Sequence, residues 1–136
     1  MKAVVDTNVI AYFLLGTTPF ADEARGFLAG VRNGMAPVIW EAELANVLWM
    51  AIRQGVLPAE DGPERLRLAA QLGIESMSTR ALWQGALQRS VRSGIAVYDT
   101  FFVELALRER CPLATFDKAL IKAFPDVARR PGSLAR

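Results

Sequence analysis

Four carboxylates stand at places where an apolar strand is expected to give way to a helix, or just inside one. They are Asp6 in KAVVDTNVI, Glu43 in PVIWEAELANVLW, Asp99 in GIAVYDTFFVELA and Asp117 in PLATFDKAL. A parallel sheet gathers its strand ends along one edge, so acids far apart in the chain can meet in one pocket there. The chain has no histidine, so such a pocket offers oxygen ligands alone and suits a hard divalent cation. Each acid taken singly has a plainer explanation. Asp is a favoured helix N-cap, and Glu43 can be an edge residue of an amphipathic helix. The two roles are compatible, since a carboxylate that accepts one backbone N–H still has a second oxygen to offer. Asn8 and Thr115 lie two positions from Asp6 and Asp117. Either can orient a carboxylate by hydrogen bonding, or serve as an ordinary first-turn or strand-end residue.

The elements that would position these groups alternate. Residues 2–6 form a β-branched run that predicts a buried strand. A helix over Thr7 to Leu15 is stopped by Gly16, a second follows Pro19 to Arg32, and Met35 to Ile39 is the next strand. Trp40, Leu44, Val47, Leu48, Ala51 and Ile52 then fall on one helical face, closed by Gly55, with Glu43 one turn before Val47. Residues 58–72 read as helix, Ile74 to Met77 as a short strand, and Ala81 to Arg92 as a helix ended by Ser93-Gly94. Ile95 to Tyr98 is expected to be a compact strand, with Asp99 opening the helix after it. Pro112 to Thr115 is a last strand, Asp117 opens a short helix, and the tail from about Pro125 is expected to be loosely held. Such alternation predicts an α/β fold with a mainly parallel sheet. Trp40, Trp49 and Trp83 each fall within a helical pattern, as core or interface anchors rather than base-stacking platforms.

The 136 residues suit one domain with a sizeable core, and 52% apolar with 22% charged reads as globular. Net charge is only +2, but setting the four acids aside leaves ten acidic groups against sixteen basic ones. An acidic pocket in a basic surround suits a polyanionic substrate; a solvated surface explains the same surplus equally well. Cys111 is a lone cysteine, which excludes an internal disulfide and fits a reducing cytoplasm. No apolar run approaches the ~20 residues of a membrane helix. The segment AVVDTNVIAYFLL imitates a signal peptide, but Asp6 and Asn8 interrupt it, so mature protein from Met1 is expected.

Four segments together resemble a PIN-domain ribonuclease of the VapC toxin type: VVDTNVIAYFLL, the P-x-x-W-x-x-E-x-x-N-x-L spacing from Pro37 to Leu48, VYDTFFVELA and PLATFDKAL. They occur in the family's order and span residues 2 to about 124. The resemblance implies a three-layer α/β/α fold and a catalytic quartet of Asp6, Glu43, Asp99 and Asp117 holding Mg²⁺ or Mn²⁺, with Asn8 and Thr115 in support. Glu41 competes with Glu43; Glu43 is preferred because it lies three residues before Asn46 and in line with the apolar face. The implied activity is endoribonuclease hydrolysis. Without histidine, a histidine-pair mechanism through the ribose 2′-hydroxyl is excluded, and direct hydrolysis to 5′-phosphate and 3′-hydroxyl ends is the favoured reading. Arg89, Arg92 and Arg108 are candidates to hold the RNA backbone.

The resemblance further implies a small antitoxin that occludes the pocket, and a homodimer. The apolar helices from Trp40 to Leu72 are the expected partner surface, because Trp49, Met50 and Leu57 are more apolar than a solvent face requires. Two other phosphate-active folds fit less well. A haloacid-dehalogenase-like phosphatase needs Asp-x-Asp after its first strand, where this chain has Asp6-Thr7-Asn8, and a response-regulator receiver needs adjacent acids there. The rival from another class is a non-catalytic binding module that keeps the fold and binds RNA or protein, although four converging negative charges serve no structural purpose.

Overall fold

The computed structural model describes residues 1–135. Its strands are β1 (Lys2–Val5), β2 (Asn33–Pro37), β3 (Glu75–Met77), β4 (Leu113–Ala114) and β5 (Ala128–Arg129). They form one sheet in the order β3-β2-β1-β4-β5, every neighbouring pair parallel. KAVV makes the middle strand because Ala3, Val4 and Val5 can be buried on both faces, and all three are. Val4 stands opposite both Met35 and Leu113, which fixes β1 between its neighbours.

The helices are α1 (Thr7–Leu15), α2 (Phe20–Ala29), α3 (Ile39–Arg53), α4 (Gly62–Ala70), α5 (Trp83–Ser93), α6 (Val97–Glu109), α7 (Lys118–Ala123) and α8 (Pro131–Leu134). The order moves one way from β1 through β2 to β3, then back across to β4 and β5. Right-handed crossovers therefore place α1 to α4 on one face and α5 to α7 on the other. This is the expected three-layer α/β/α arrangement. Ile10 and Leu44 from one layer and Phe102 and Val103 from the other are buried in the same core as β1 and Leu113. Glycine in the left-handed region ends two of the helices, Gly16 (φ 65°) after α1 and Gly94 (φ 77°) after α5.

Three expectations need correction. Ile95 to Tyr98 is not a strand: α6 already starts at Val97, with Ala96 in extended conformation as its N-cap. The segment joins two packed helices, and a β-branched pair this short finds no ladder to complete. Asp99 therefore sits in a first helical turn rather than beyond a strand end. The tail is not loose. Leu113 N–H donates to the Val127 carbonyl (2.8 Å) and Thr115 N–H to that of Arg129 (3.0 Å), adding β5 to the sheet. Arg130 then donates through Nε (3.1 Å) and Nη2 (2.6 Å) to Glu23 on α2. Finally, Leu57 is buried and so is not part of an exposed partner surface. Among the described residues no helix is long and apolar enough to cross a membrane.

Candidate active site

The strand order reverses direction at β1, and the crevice beyond the carboxyl ends of β1 and β4 is where such sheets take ligands. Asp6 directly follows β1 and caps α1, accepting the Thr7 N–H at 2.8 Å. Asp117 lies three residues past β4 and caps α7, accepting from Ala119 N (2.9 Å) and Leu120 N (3.3 Å). Glu43 comes from α3, and its Oε1 accepts the Thr7 hydroxyl at 2.7 Å. Asp99 comes from α6 on the opposite layer, and its carboxylate has no hydrogen-bond partner among the described residues. All four line one cleft of about 320 Å³, with Thr7, Asn8 and Tyr12 among its other walls. Glu41 lies elsewhere, accepting from Ser76, whose hydroxyl also takes the Trp40 indole N–H (2.9 Å). Two residues on a helix differ by about 200° in direction, which is why only one of these glutamates reaches the cleft.

Behind the acids lies a polar support. The hydroxyl of fully buried Thr115 donates to Asp6 Oδ2 at 2.7 Å and accepts the Asp117 N–H at 2.9 Å. One side chain thus ties the two strand-end acids together. Asn8 spans the same gap: its Oδ1 accepts the Phe116 N–H at 3.2 Å, and its Nδ2 makes 3.4 Å contacts with Asp6 and Thr115.

Burial pushes the Asp6 carboxyl up to about 7; the Thr115 bond opposes this, while repulsion from Asp99 and Glu43 adds to it. Glu43 is raised by desolvation, with the Thr7 bond opposing and Asp99 adding. Asp99 is raised by desolvation and by Asp117. Among the described residues no Lys or Arg lines the cleft, so there the repulsion has no counter-ion. An all-oxygen donor set short of positive charge fits a hard divalent ion. The side chains do not form a closed cage, since among the described residues no three acids converge tightly enough to hold an ion.

Two wall residues were not singled out from the sequence. Thr7 was legible only as the middle of Asp6-Thr7-Asn8, and its bond to Glu43 spans 36 positions. Tyr12 stacks on Phe20 (4.7 Å between ring centres) and meets Phe116 edge-on (5.3 Å), an aromatic wall that Arg130 covers from the tail. Nothing local in the sequence announces that wall.

A profile of the PIN domain matches residues 3–127. The chain belongs to the PIN domain family. This PIN domain is similar to Ribonuclease VapC3 of Pyrobaculum aerophilum, 25% identical over 127 residues that span 92% of this chain and 96% of that protein. Its fold resembles a chain in the crystal structure of VapBC2 from Rickettsia felis bound to a DNA fragment from their promoter. The TM-score is 0.67 at 13% identity, covering 96% of this chain and 98% of the other.

Proposed function

We propose that this PIN domain is a divalent-metal-dependent endoribonuclease and the toxin of a toxin–antitoxin pair. The observation that carries the proposal is that Asp6, Glu43, Asp99 and Asp117 line one cleft at the topological switch of the sheet. Similarity to a protein named as a ribonuclease, over nearly the whole of both chains, supports the same reading.

In this reading Asp6, Glu43, Asp99 and Asp117 hold Mg²⁺ or Mn²⁺. The bound ion supplies Lewis acidity to the scissile phosphate and lowers the pKa of the attacking water. The chain's own part is positional. Thr115 and the Thr7 N–H fix both oxygens of Asp6, the Thr7 hydroxyl sets the Glu43 rotamer, and Asn8 braces the loop between β4 and Asp117. Asp99 remains free to turn toward the ion, because no hydrogen bond or ion pair among the described residues engages its oxygens.

The deciding experiment is cleavage of a panel of tRNA and rRNA fragments with Mg²⁺, Mn²⁺ or EDTA, beside an Asp6→Asn, Asp99→Asn double variant. Metal-dependent cuts that vanish in the variant are expected. RNA bound but never cut, under any metal, would make the domain a binding module and remove the role given to the acids.

The resemblance of fold to a chain of a VapBC2 structure, together with the VapC likeness, supports an antitoxin that covers the cleft. A homodimer is proposed on the exposed apolar side chains Trp49, Met50, Val56 and Leu66 of the α3–α4 layer. Trp49 is 52% exposed, too much for a core anchor, whereas Trp40 is buried. Light scattering at micromolar concentration should return twice the chain mass; a clean monomer refutes the dimer.

A further inference from the structure

On the face away from α1 to α4, helices α5 and α6 enclose a polar groove of about 270 Å³ lined by Gln84, Gly85, Gln88, Arg89, Arg92, Glu104 and Arg108. At its floor Glu104 is buried, one turn after Thr100 and one turn before Arg108. It accepts from Arg89 Nε (2.8 Å) and from Arg108 Nε (2.7 Å). Burial pushes this carboxyl up, but the two guanidinium bonds outweigh that and hold it below the usual range. Both arginines use Nε, so among the described residues their terminal nitrogens make no hydrogen bond within the protein. Arg92 is exposed and makes none among the described residues. Three guanidiniums against one carboxylate leave a net charge of +2. Gly85 keeps the floor open, because a methyl group there would collide with the Glu104 carboxylate.

We propose that Arg89, Arg92 and Arg108 form a phosphodiester-binding groove that positions the RNA strand leading into the acidic cleft. This rests on the nuclease reading above and names residues of its substrate path. The donors are right: guanidinium forks and two primary amides match phosphate oxygens, and the fork geometry of Arg is suited to them. The lining is also wrong for a protein partner, whose docking requires an apolar centre, since no apolar side chain lines the groove. Placement agrees. Residues 94–96 join the end of α5 to the start of α6, and the two helices pack together, Ser90 meeting Thr100 at 2.7 Å and Arg89 meeting Glu104. Going from Arg89 to Arg92 therefore leads toward the end of α6 that carries Asp99. From Asp99 to Arg108 is nine residues, about 14 Å along the helix axis and about half a turn around it, so the strand passes over the α5–α6 link to reach the cleft. The buried Glu104 acts as the positioning residue, holding two flexible arginines with their free edges outward.

The test is binding of a labelled single-stranded RNA to the full chain in EDTA across a salt series, with steady-state cleavage in metal alongside. Arg92→Gln is the principal variant, because Arg92 is exposed and makes no hydrogen bond among the described residues, so its loss leaves packing alone. Arg108→Gln is the second. Arg32→Gln, at the amino end of the sheet before β2, is the control. Each groove substitution is expected to lower the slope of log K against log salt by about 0.7, as one lost phosphate contact does on a single strand. Each should also raise KM several-fold with little change in kcat, while the control stays at wild type. Unchanged slope and KM in both groove variants would overturn the proposal, as would an equal loss in Arg32→Gln or a wild type that fails to bind RNA. So would groove variants that bind RNA normally but lose affinity for an acidic protein partner. If wild type cleaves normally while the slope is unmoved, the groove fails and the nuclease stands. If the slope falls as expected but no metal supports cleavage, the nuclease fails and the groove stands.

Discussion

Asp99→Asn is expected to lower RNA cleavage by about three orders of magnitude at saturating Mg²⁺, with a melting temperature in EDTA at or above that of wild type. The first half follows from the value of an ion held at the scissile phosphate, several kcal/mol, at 1.36 kcal/mol per factor of ten. The second half follows from the particular position of Asp99. Its carboxylate makes no hydrogen bond among the described residues, whereas Asp6, Glu43 and Asp117 each accept at least one. Its charge raises Asp6 and Glu43, and it is itself raised by desolvation and Asp117. Replacing it with a neutral isostere removes repulsion and breaks nothing. Asp6→Ala is a poorer probe. It deletes the cap of α1, worth about 1 kcal/mol, and strands the Thr115 hydroxyl, so lost activity and lost stability would be mixed. Initial rates on one RNA substrate and thermal melts of the same preparations check both halves. Cleavage within tenfold of wild type would remove Asp99 from the site, and a large fall in melting temperature would make it structural.

How much of this site the sequence discloses depends on the range of the interactions that build it. Asp6 and Asp117 are legible because an N-cap after an apolar run is a local signal, and the structure finds both caps made. Glu43 is separable from Glu41 by helical period alone. The strand at Ile95 to Tyr98 fails for the opposite reason. Its β-branched residues express a local preference, and the tight link from α5 into α6 overrides it. β5 was invisible because two residues carry no periodicity; its existence depends on β4, fifteen positions earlier, having an open edge. The Thr7–Glu43 and Thr115–Asp6 bonds, across 36 and 109 positions, have no sequence signature beyond a polar residue beside an acid. Glu104 did leave a trace. A carboxylate among Phe102, Val103, Leu105 and Ala106, five residues past Asp99, contradicts its apolar neighbours and calls for a buried cationic partner. The three arginines named from the sequence as backbone candidates line that carboxylate's groove, although only two of them bond to it.

In EDTA the protein should lose stability as pH rises from about 4 to about 7, and a divalent ion should restore it. Asp6 has an ordinary value of 3.8 in the unfolded chain and about 7 in the folded one. Between those values the folded state keeps a proton that the unfolded state has released, so each increment of pH favours unfolding. The full difference is at most about 4 kcal/mol, or roughly 10 °C in melting temperature for a chain of this size. Glu43 and Asp99, also raised, push the same way. Glu23 and Glu104 are held low by their arginines. Their contributions are lost only as pH falls below the ordinary carboxylate range, and so are constant from pH 5 to 8. A cation bound between the carboxylates reverses the penalty, because it favours the ionised forms that burial and repulsion disfavour. Millimolar Mg²⁺ or Mn²⁺ should therefore stabilise the protein more at pH 8 than at pH 5.5, the gain at pH 8 being about 2.7 kcal/mol when the ion is at a hundred times its Kd there. Asp99→Asn should lose most of that gain, since it removes the carboxylate that faces the other three. Melts at constant ionic strength, with and without metal at both pH values, provide the measurement. A flat apo profile from pH 5 to 8 would show that Asp6 is not held protonated, and a metal effect equal at both pH values would place the ion somewhere other than among these acids.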